Sequence, residues 1–226
     1  MQREKYQQLL ESLGKKTTLV AVSKLQPVDS ILQLYRLGHR DFGENYVQEL
    51  VEKQLLLPHD IRWHFIGHLQ SNKIKYIAPF IHLIHSVDSF KLLLEIDKQG
   101  KKMDRKINCL LQVHIAMEET KFGLFESELD ELVSGLLRAN ELNQLNHVKV
   151  CGLMGMASFS DDEEKVRAEF KYMTALFDKY SYINTPNFHL QKLSMGMSGD
   201  YRIAIEEGSN MVRIGSLLFG NRPAVR

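Results

Sequence analysis

Residues 17–27, TTLVAVSKLQP, decide the fold. Leu19, Val20, Ala21 and Val22 are apolar at both parities, which predicts a strand covered on both faces, as in a parallel sheet. Alternation puts Lys24 on the face shared by Val20 and Val22, and Pro27 favours a helix starting just beyond. The lysine thus stands where a buried strand gives way to a helix. Such a side chain either snorkels to solvent or stays desolvated as a nucleophilic amine able to form a Schiff base. The stretch alone leaves both readings open.

Working outward, further strand patterns cover Asp41–Phe42 with its neighbours, Trp63–Ile66, Ile81–His85, Asn108–His114, Val148–Met154, Phe188–Leu193 and Asn210–Ile214. Helical patterns fill the gaps. Ser160 with Glu163 reads as a capping box, and Val166, Phe170, Met173 and Phe177 fall on one helix face behind it. Ser127 is placed to cap a helix burying Leu129, Leu132, Val133, Leu136 and Leu137, and Gly38 and Gly208 to end helices. Eight strands alternating with helices, after one extra N-terminal helix, predict the α/β class and a single (β/α)8 TIM barrel domain over residues 1–226. An open doubly wound sheet is the runner-up and would need fewer strands.

A formal charge of +1, with 25% charged residues, gives no electrostatic case for nucleic acid or an anionic membrane as partner. Cys109 and Cys151 lie in apolar stretches without metal-ligand spacing, which fits buried thiols in a reducing cytosol. The start, MQREKYQQLLESLGKK, reads as an amphipathic helix rather than a signal peptide, and no apolar run approaches membrane-spanning length. The expectation is a cytoplasmic protein.

In such a barrel, function collects at the carboxyl ends of the strands, which nominates Lys24, Asn45, His68, Ser86, Ser194–Ser198 and Gly215–Ser216. Serines and glycines follow both the seventh and the eighth strand patterns (LSMGMSGD and NMVRIGSLLFG), where phosphate sites often form. Arg213 shares parity with Met211 and Gly215 and should point inward. A buried guanidinium needs a partner, either a carboxylate such as Glu44 or Glu206 or a ligand heteroatom. His82 and His85 have opposite strand parity, His64 reads as a hydrogen-bonded core or pocket residue, and no His-x-His or HExxH motif occurs; no metal centre is expected. Lys121, in KFG, reads as a solvated or ligand-rim charge.

The motifs AVSKLQP, DFGENYVQEL, WHFIGHLQSNK, HSVDS, QVHIAMEETKFG, GLMGMAS, LSMGMSGD and MVRIGSLLFG, in this order, resemble the pyridoxal 5′-phosphate (PLP) homeostasis proteins, a family related to the amino-terminal barrel of alanine racemase. The resemblance implies PLP as cofactor, held covalently on Lys24. It implies a phosphate pocket of Ser194, Met195, Ser198, Gly215 and Ser216, with Arg213 facing the pyridine nitrogen and Asn45 near the ring. Arginine donates only, so it would keep that nitrogen unprotonated and weaken the electron sink. The last barrel helix pattern falls close to residue 226, so no counterpart of the racemase's additional domain is expected. The expected function is therefore a PLP carrier or regulator without substrate turnover, exchanging PLP with apo-PLP-dependent enzymes, as a monomer or weak dimer. An amino-acid racemase or related PLP enzyme is the alternative.

Overall fold

The run around Ala21 forms strand β1 (Thr18–Val22) in the computed structural model, which describes residues 3–116, 122–142 and 144–220. Lys121 and the last six residues lie outside that range. Helix α1 (Arg3–Leu13) precedes β1; α2 (Val28–Arg36), β2 (Asp41–Glu44), α3 (Val47–Leu56) and β3 (Arg62–Phe65) follow. A 3₁₀ turn at Ser71–Lys73 leads into the short α4 (Ile74–Ile77), then β4 (Leu83–Val87), α5 (Phe90–Lys102) and β5 (Ile107–Val113). The chain continues through α6 (Glu126–Glu141), β6 (Val148–Gly155), α7 (Glu163–Ser181) and a two-residue strand β7 (Asn184–Thr185). It finishes with β8 (Phe188–Ser194), α8 (Tyr201–Glu206), β9 (Met211–Ile214) and α9 (Ser216–Phe219).

Eight of these strands run parallel and close on themselves. β1 pairs with β2 and β9, the pairing continues stepwise from β2 to β6, and β6 pairs with β8 to complete the ring. β9 meets β8 at Met211 and Ser194. β7 is antiparallel on the outer edge of β8, an addition the strand patterns did not foresee. The expected (β/α)8 barrel with an extra N-terminal helix is the observed fold.

Strand alternation sorts the apolar residues into two cores. The larger lies between strands and helices: Phe42, Phe65, Ile84, Cys109 and Leu153 meet Ile31, Leu50, Ile96, Leu136 and Phe170 there. Each fully buried residue of this size contributes about 1.5–3 kcal/mol. The smaller fills the barrel itself, with Val20, Leu83, Leu110, Cys151, Met154 and Met211. Both cysteines are buried and free.

Gly38 and Gly208 end α2 and α8 at φ +93° and +101° as the sequence suggests. Two caps differ from expectation. Asp162, rather than Ser160, caps α7, accepting from Glu164 N at 3.1 Å and Lys165 N at 3.2 Å. α6 starts after Phe125, whose N–H donates to Glu128 Oε2 at 2.8 Å, so Ser127 falls inside the first turn. At α7 three residues in a row, Ser160, Asp161 and Asp162, have capping chemistry, whereas Phe125 before α6 has none and the start relies on Glu128 reaching back to the Phe125 N–H.

Candidate functional site

β1 ends at Val22 and Lys24 follows, half-buried, in a turn where Leu25 adopts φ +59°. A left-handed backbone at a non-glycine residue is held against its own preference. The restraint is a charge cluster behind the barrel wall. Lys53 of α3 donates to Ser23 O at 2.7 Å, Glu44 Oε1 at 2.8 Å and Glu49 Oε1 at 2.6 Å. Ser23 Oγ donates to Glu44 Oε1 at 2.6 Å, and Leu25 N–H donates to Glu49 Oε1 at 2.6 Å. The residues on either side of Lys24 are therefore clamped. Burial pushes the Glu44 carboxyl up to about 7, with the Lys53 ammonium opposing. Nothing in the spacing of Glu44, Glu49 and Lys53 signalled this cluster beyond an i,i+4 pair on α3.

Arg213 points into the barrel as its parity predicts and is only 4% exposed. Its partners are all neutral: Ser194 O at 2.8 Å, Ser194 Oγ at 2.7 Å and Gly155 O at 3.0 Å. The carboxylates proposed from sequence are engaged elsewhere, Glu206 with Arg167 and Glu44 with Lys53. Burial lowers the guanidinium to about 10, with Asp200 opposing, so it stays cationic at neutral pH.

β8 ends on Ser194, and the turn after it carries Met195 and Ser198. Gly196 takes φ +96°, and Ser198 Oγ accepts from Gly215 N at 3.3 Å, joining the loops beyond β8 and β9. The Met195 side chain is fully buried and its N–H is spent on Met211 O at 3.2 Å. Ser216 opens α9, where a helix start leaves its first N–H groups without intrahelical acceptors. A Cβ on Gly215 would stand 3.3 Å from Val22 O, so the β9 loop lies close against the end of β1. Past β2, Asn45 Oδ1 is buried without a hydrogen-bond partner, and Ser86 Oγ of β4 shares that condition. Most of the nominated residues thus occupy one contiguous arc of carboxyl ends, β8–β9–β1–β2, with His68 past β3 and Ser86 on β4 continuing it along the ring. His68 is exposed, lies 3.6 Å from Asp88 and stacks on Phe122 at 4.8 Å.

The histidines depart from the parity argument. His85 is fully buried on β4, and His82 lies just before that strand, where alternation does not hold. Both rings face His64, at centroid distances of 5.1 and 5.4 Å. Asp41, His64 and His82 bring possible ligand atoms within 4.8 Å of one another. Arg62 already holds both Asp41 oxygens, at 2.7 and 2.5 Å, and the Lys192 charge also bears on His64, so this field opposes a further cation.

A closed parallel barrel with a lysine past its first strand and serine–glycine loops past its last two defines a class, that of the alanine racemase amino-terminal barrel. The family model for alanine racemase, N-terminal domain, matches residues 2–223. Alanine racemase of Clostridium difficile shares the fold at TM-score 0.74 and 17% identity, over 98% of this chain and 57% of the racemase. The pyridoxal phosphate homeostasis protein of Aquifex aeolicus is 40% identical over 223 residues, 97% of this chain and 94% of that protein. The Schizosaccharomyces pombe protein of the same name is 38% identical, over 93% and 86%. PipY of Synechococcus elongatus, whose structure has PLP bound, superposes at TM-score 0.84 with 33% identity, over 96% of this chain and 99% of PipY. This chain belongs to the pyridoxal phosphate homeostasis protein family.

Proposed function

We propose that this chain binds PLP at the arc of strand ends and acts in PLP homeostasis, holding the cofactor covalently through Lys24 and passing it on without turning over a substrate. The observation that carries the reading is Arg213. A buried cation whose hydrogen bonds all go to neutral oxygens, beside the lysine turn, is suited to an electron-rich ligand atom. The buried, unpartnered Asn45 Oδ1 on the same arc is a further polar atom awaiting a partner, and Ser86 Oγ on β4 is another. The names of the relatives and the PLP in PipY support this assignment.

In this reading Ser198, Gly215 and Ser216 receive the phosphate, with Ser194 and Met195 shaping the turn that carries them. Hydroxyl and backbone donors on an anion make the stronger, charge-assisted kind of hydrogen bond. Asn45 lies beside the ring. Arg213 donates to the ring nitrogen and, having no acceptor, keeps that nitrogen unprotonated. When bound, PLP supplies an aldehyde that reacts reversibly with amines and a ring that withdraws electrons best when its nitrogen is protonated. The clamp on Ser23 and Leu25 presents the Lys24 amine, while Arg213 denies the ring its strongest electron demand. That combination suits storage and exchange more than carbanion chemistry. Apo-PLP-dependent enzymes are the proposed recipients, the cytoplasm the proposed compartment, and a monomer or weak dimer the proposed state. Among the described residues no helix is long and apolar enough to cross a membrane.

The test is borohydride treatment of PLP-loaded protein followed by peptide mass spectrometry, alongside incubation with a panel of L- and D-amino acids. The expected result is an adduct on Lys24, absent in Lys24→Ala, with no multiple turnover. An adduct found only on another lysine overturns the anchor. Steady racemisation abolished by Lys24→Ala replaces the carrier reading with an enzyme.

A further inference from the structure

A line of hydrogen bonds joins the mouth of the barrel to its floor. Arg213 Nη1 donates to Ser194 Oγ at 2.7 Å, and Ser194 Oγ lies 3.3 Å from His85 Nδ1. His85 Nε2 lies 2.9 Å from His64 Nδ1, and His64 Nε2 lies 3.0 Å from Asp41 Oδ1 at the start of β2. Every member is buried, and Arg62 closes the floor end on Asp41.

The two ends assign the protons between them. Arginine has nothing to accept with, and an ionised carboxylate nothing to donate. Asp41 is ionised: despite its burial, hydrogen bonds from Arg62 and His64 hold its carboxyl well below the usual range. It therefore accepts from His64 Nε2–H. Burial keeps both imidazoles neutral, so each has one N–H and one acceptor nitrogen. His64 Nδ1 then accepts from His85 Nε2–H, and His85 Nδ1 accepts the Ser194 hydroxyl. Every donor in the line points toward the floor.

We propose that His64 and His85 are positioning residues for the ligand site: they draw the Ser194 hydroxyl hydrogen away from Arg213, so that Ser194 only accepts from the guanidinium and fixes the edge Arg213 turns to the ligand. The proposal deepens the PLP reading and rests on it. Without an acceptor at His85, the Ser194 hydroxyl hydrogen is buried without that partner and loses its fixed direction, so the lone pairs Ser194 turns to the guanidinium are no longer held in place. His64 acts at one remove, by holding His85 in the tautomer that leaves Nδ1 open. An isolated pair of core histidines would need no such fixed direction.

Two measurements test it. In ligand-free protein, long-range ¹H–¹⁵N NMR is expected to show His64 and His85 as neutral Nε2–H tautomers; an Nδ1–H tautomer at either overturns the relay. PLP titrations then compare the parent with His64→Phe, His85→Phe and the double variant. Each single change is expected to weaken PLP about fivefold to tenfold, the worth of one hydrogen bond. The double is expected to weaken it no more than the larger single, because the line acts as a unit. His85→Gln, whose amide offers an acceptor oxygen and an NH2 donor in place of the two ring nitrogens, restores affinity to within about twofold of the parent if the relay acts through hydrogen bonding. Folded phenylalanine variants that bind PLP like the parent overturn the proposal and leave PLP binding intact. A parent protein that takes up no PLP overturns the reading beneath it. Should either phenylalanine variant fail to fold, the tautomers of the parent and the His85→Gln titration decide.

Discussion

At the scale of single residues, the site depends on groups that never reach its ligand. Glu44 is the clearest case. Its carboxyl, raised to about 7 in the folded chain from an ordinary 4.5, holds a proton between those values that the unfolded chain has released. Folding stability from this group therefore falls as pH rises through that window. Glu44→Gln removes the dependence, and melting temperatures should show the variant gaining on the parent between about pH 5 and pH 7. A parallel pair of curves would mean that Glu44 is ionised throughout. The sequence made Lys24 legible because an apolar strand ended on it. It hid the clamp, since Ser23, Glu44, Glu49 and Lys53 converge from three elements and only the helix pair has a local spacing.

At the scale of elements, periodicity found the eight barrel strands, and their ends fell within a few residues of the patterns read from sequence. It missed β7, because two residues hydrogen-bonded to an edge carry no periodic signal. It also could not see where β6 and β8 press together. A Cβ on Gly152 of β6 would stand 1.9 Å from Lys192 O, a backbone atom with nowhere to go. The pairing of these strands shifts register between Val150 and Gly152, so the glycine lies where the ring closes. Gly152→Ala is expected to destabilise the fold by about 3 kcal/mol or more in urea unfolding, at the upper end for overpacking. An alanine variant within about 0.5 kcal/mol of the parent would show that this seam yields easily.

At the scale of the whole molecule, four buried or half-buried histidines gather about β2, β3 and β4, His39 on the outer side of the strands against Tyr6 and Phe42. Burial is the first cause of the downward shift at His39, His64, His82 and His85, and His82 falls to about 4. Below an ordinary 6.5 the unfolded chain takes up protons that the folded one refuses, so their stabilising effect is complete above that value and is lost as pH falls. The loss is about 1.4 kcal/mol per pH unit for each proton of difference. Glu44 opposes part of it between 4.5 and about 7. Chemical denaturation at pH 7 and pH 5.5 is expected to show a net loss of a few kcal/mol, roughly. Equal stability at both would indicate that these imidazoles charge freely in the fold. The composition disclosed nine histidines but not this arrangement, since bonds linking β2, β3, β4 and β8 exist only once the barrel is closed.

The buried line from Arg213 to Asp41 also bears on how such a chain can vary. Removing one member strands a charge or a lone pair in the interior, at a cost of about 1–3 kcal/mol for a polar group and more for an ion. Exchanging every member for apolar residues of like volume can be neutral or stabilising, as for other buried ionic sets. Between those two well-filled interiors lies a valley of half-converted sequences, each less stable than either side. A lineage taking one substitution at a time meets that valley at its first step, wherever along the line it begins. The barrel interior is in this sense ratcheted: its polar filling persists because every exit runs downhill in stability before it climbs.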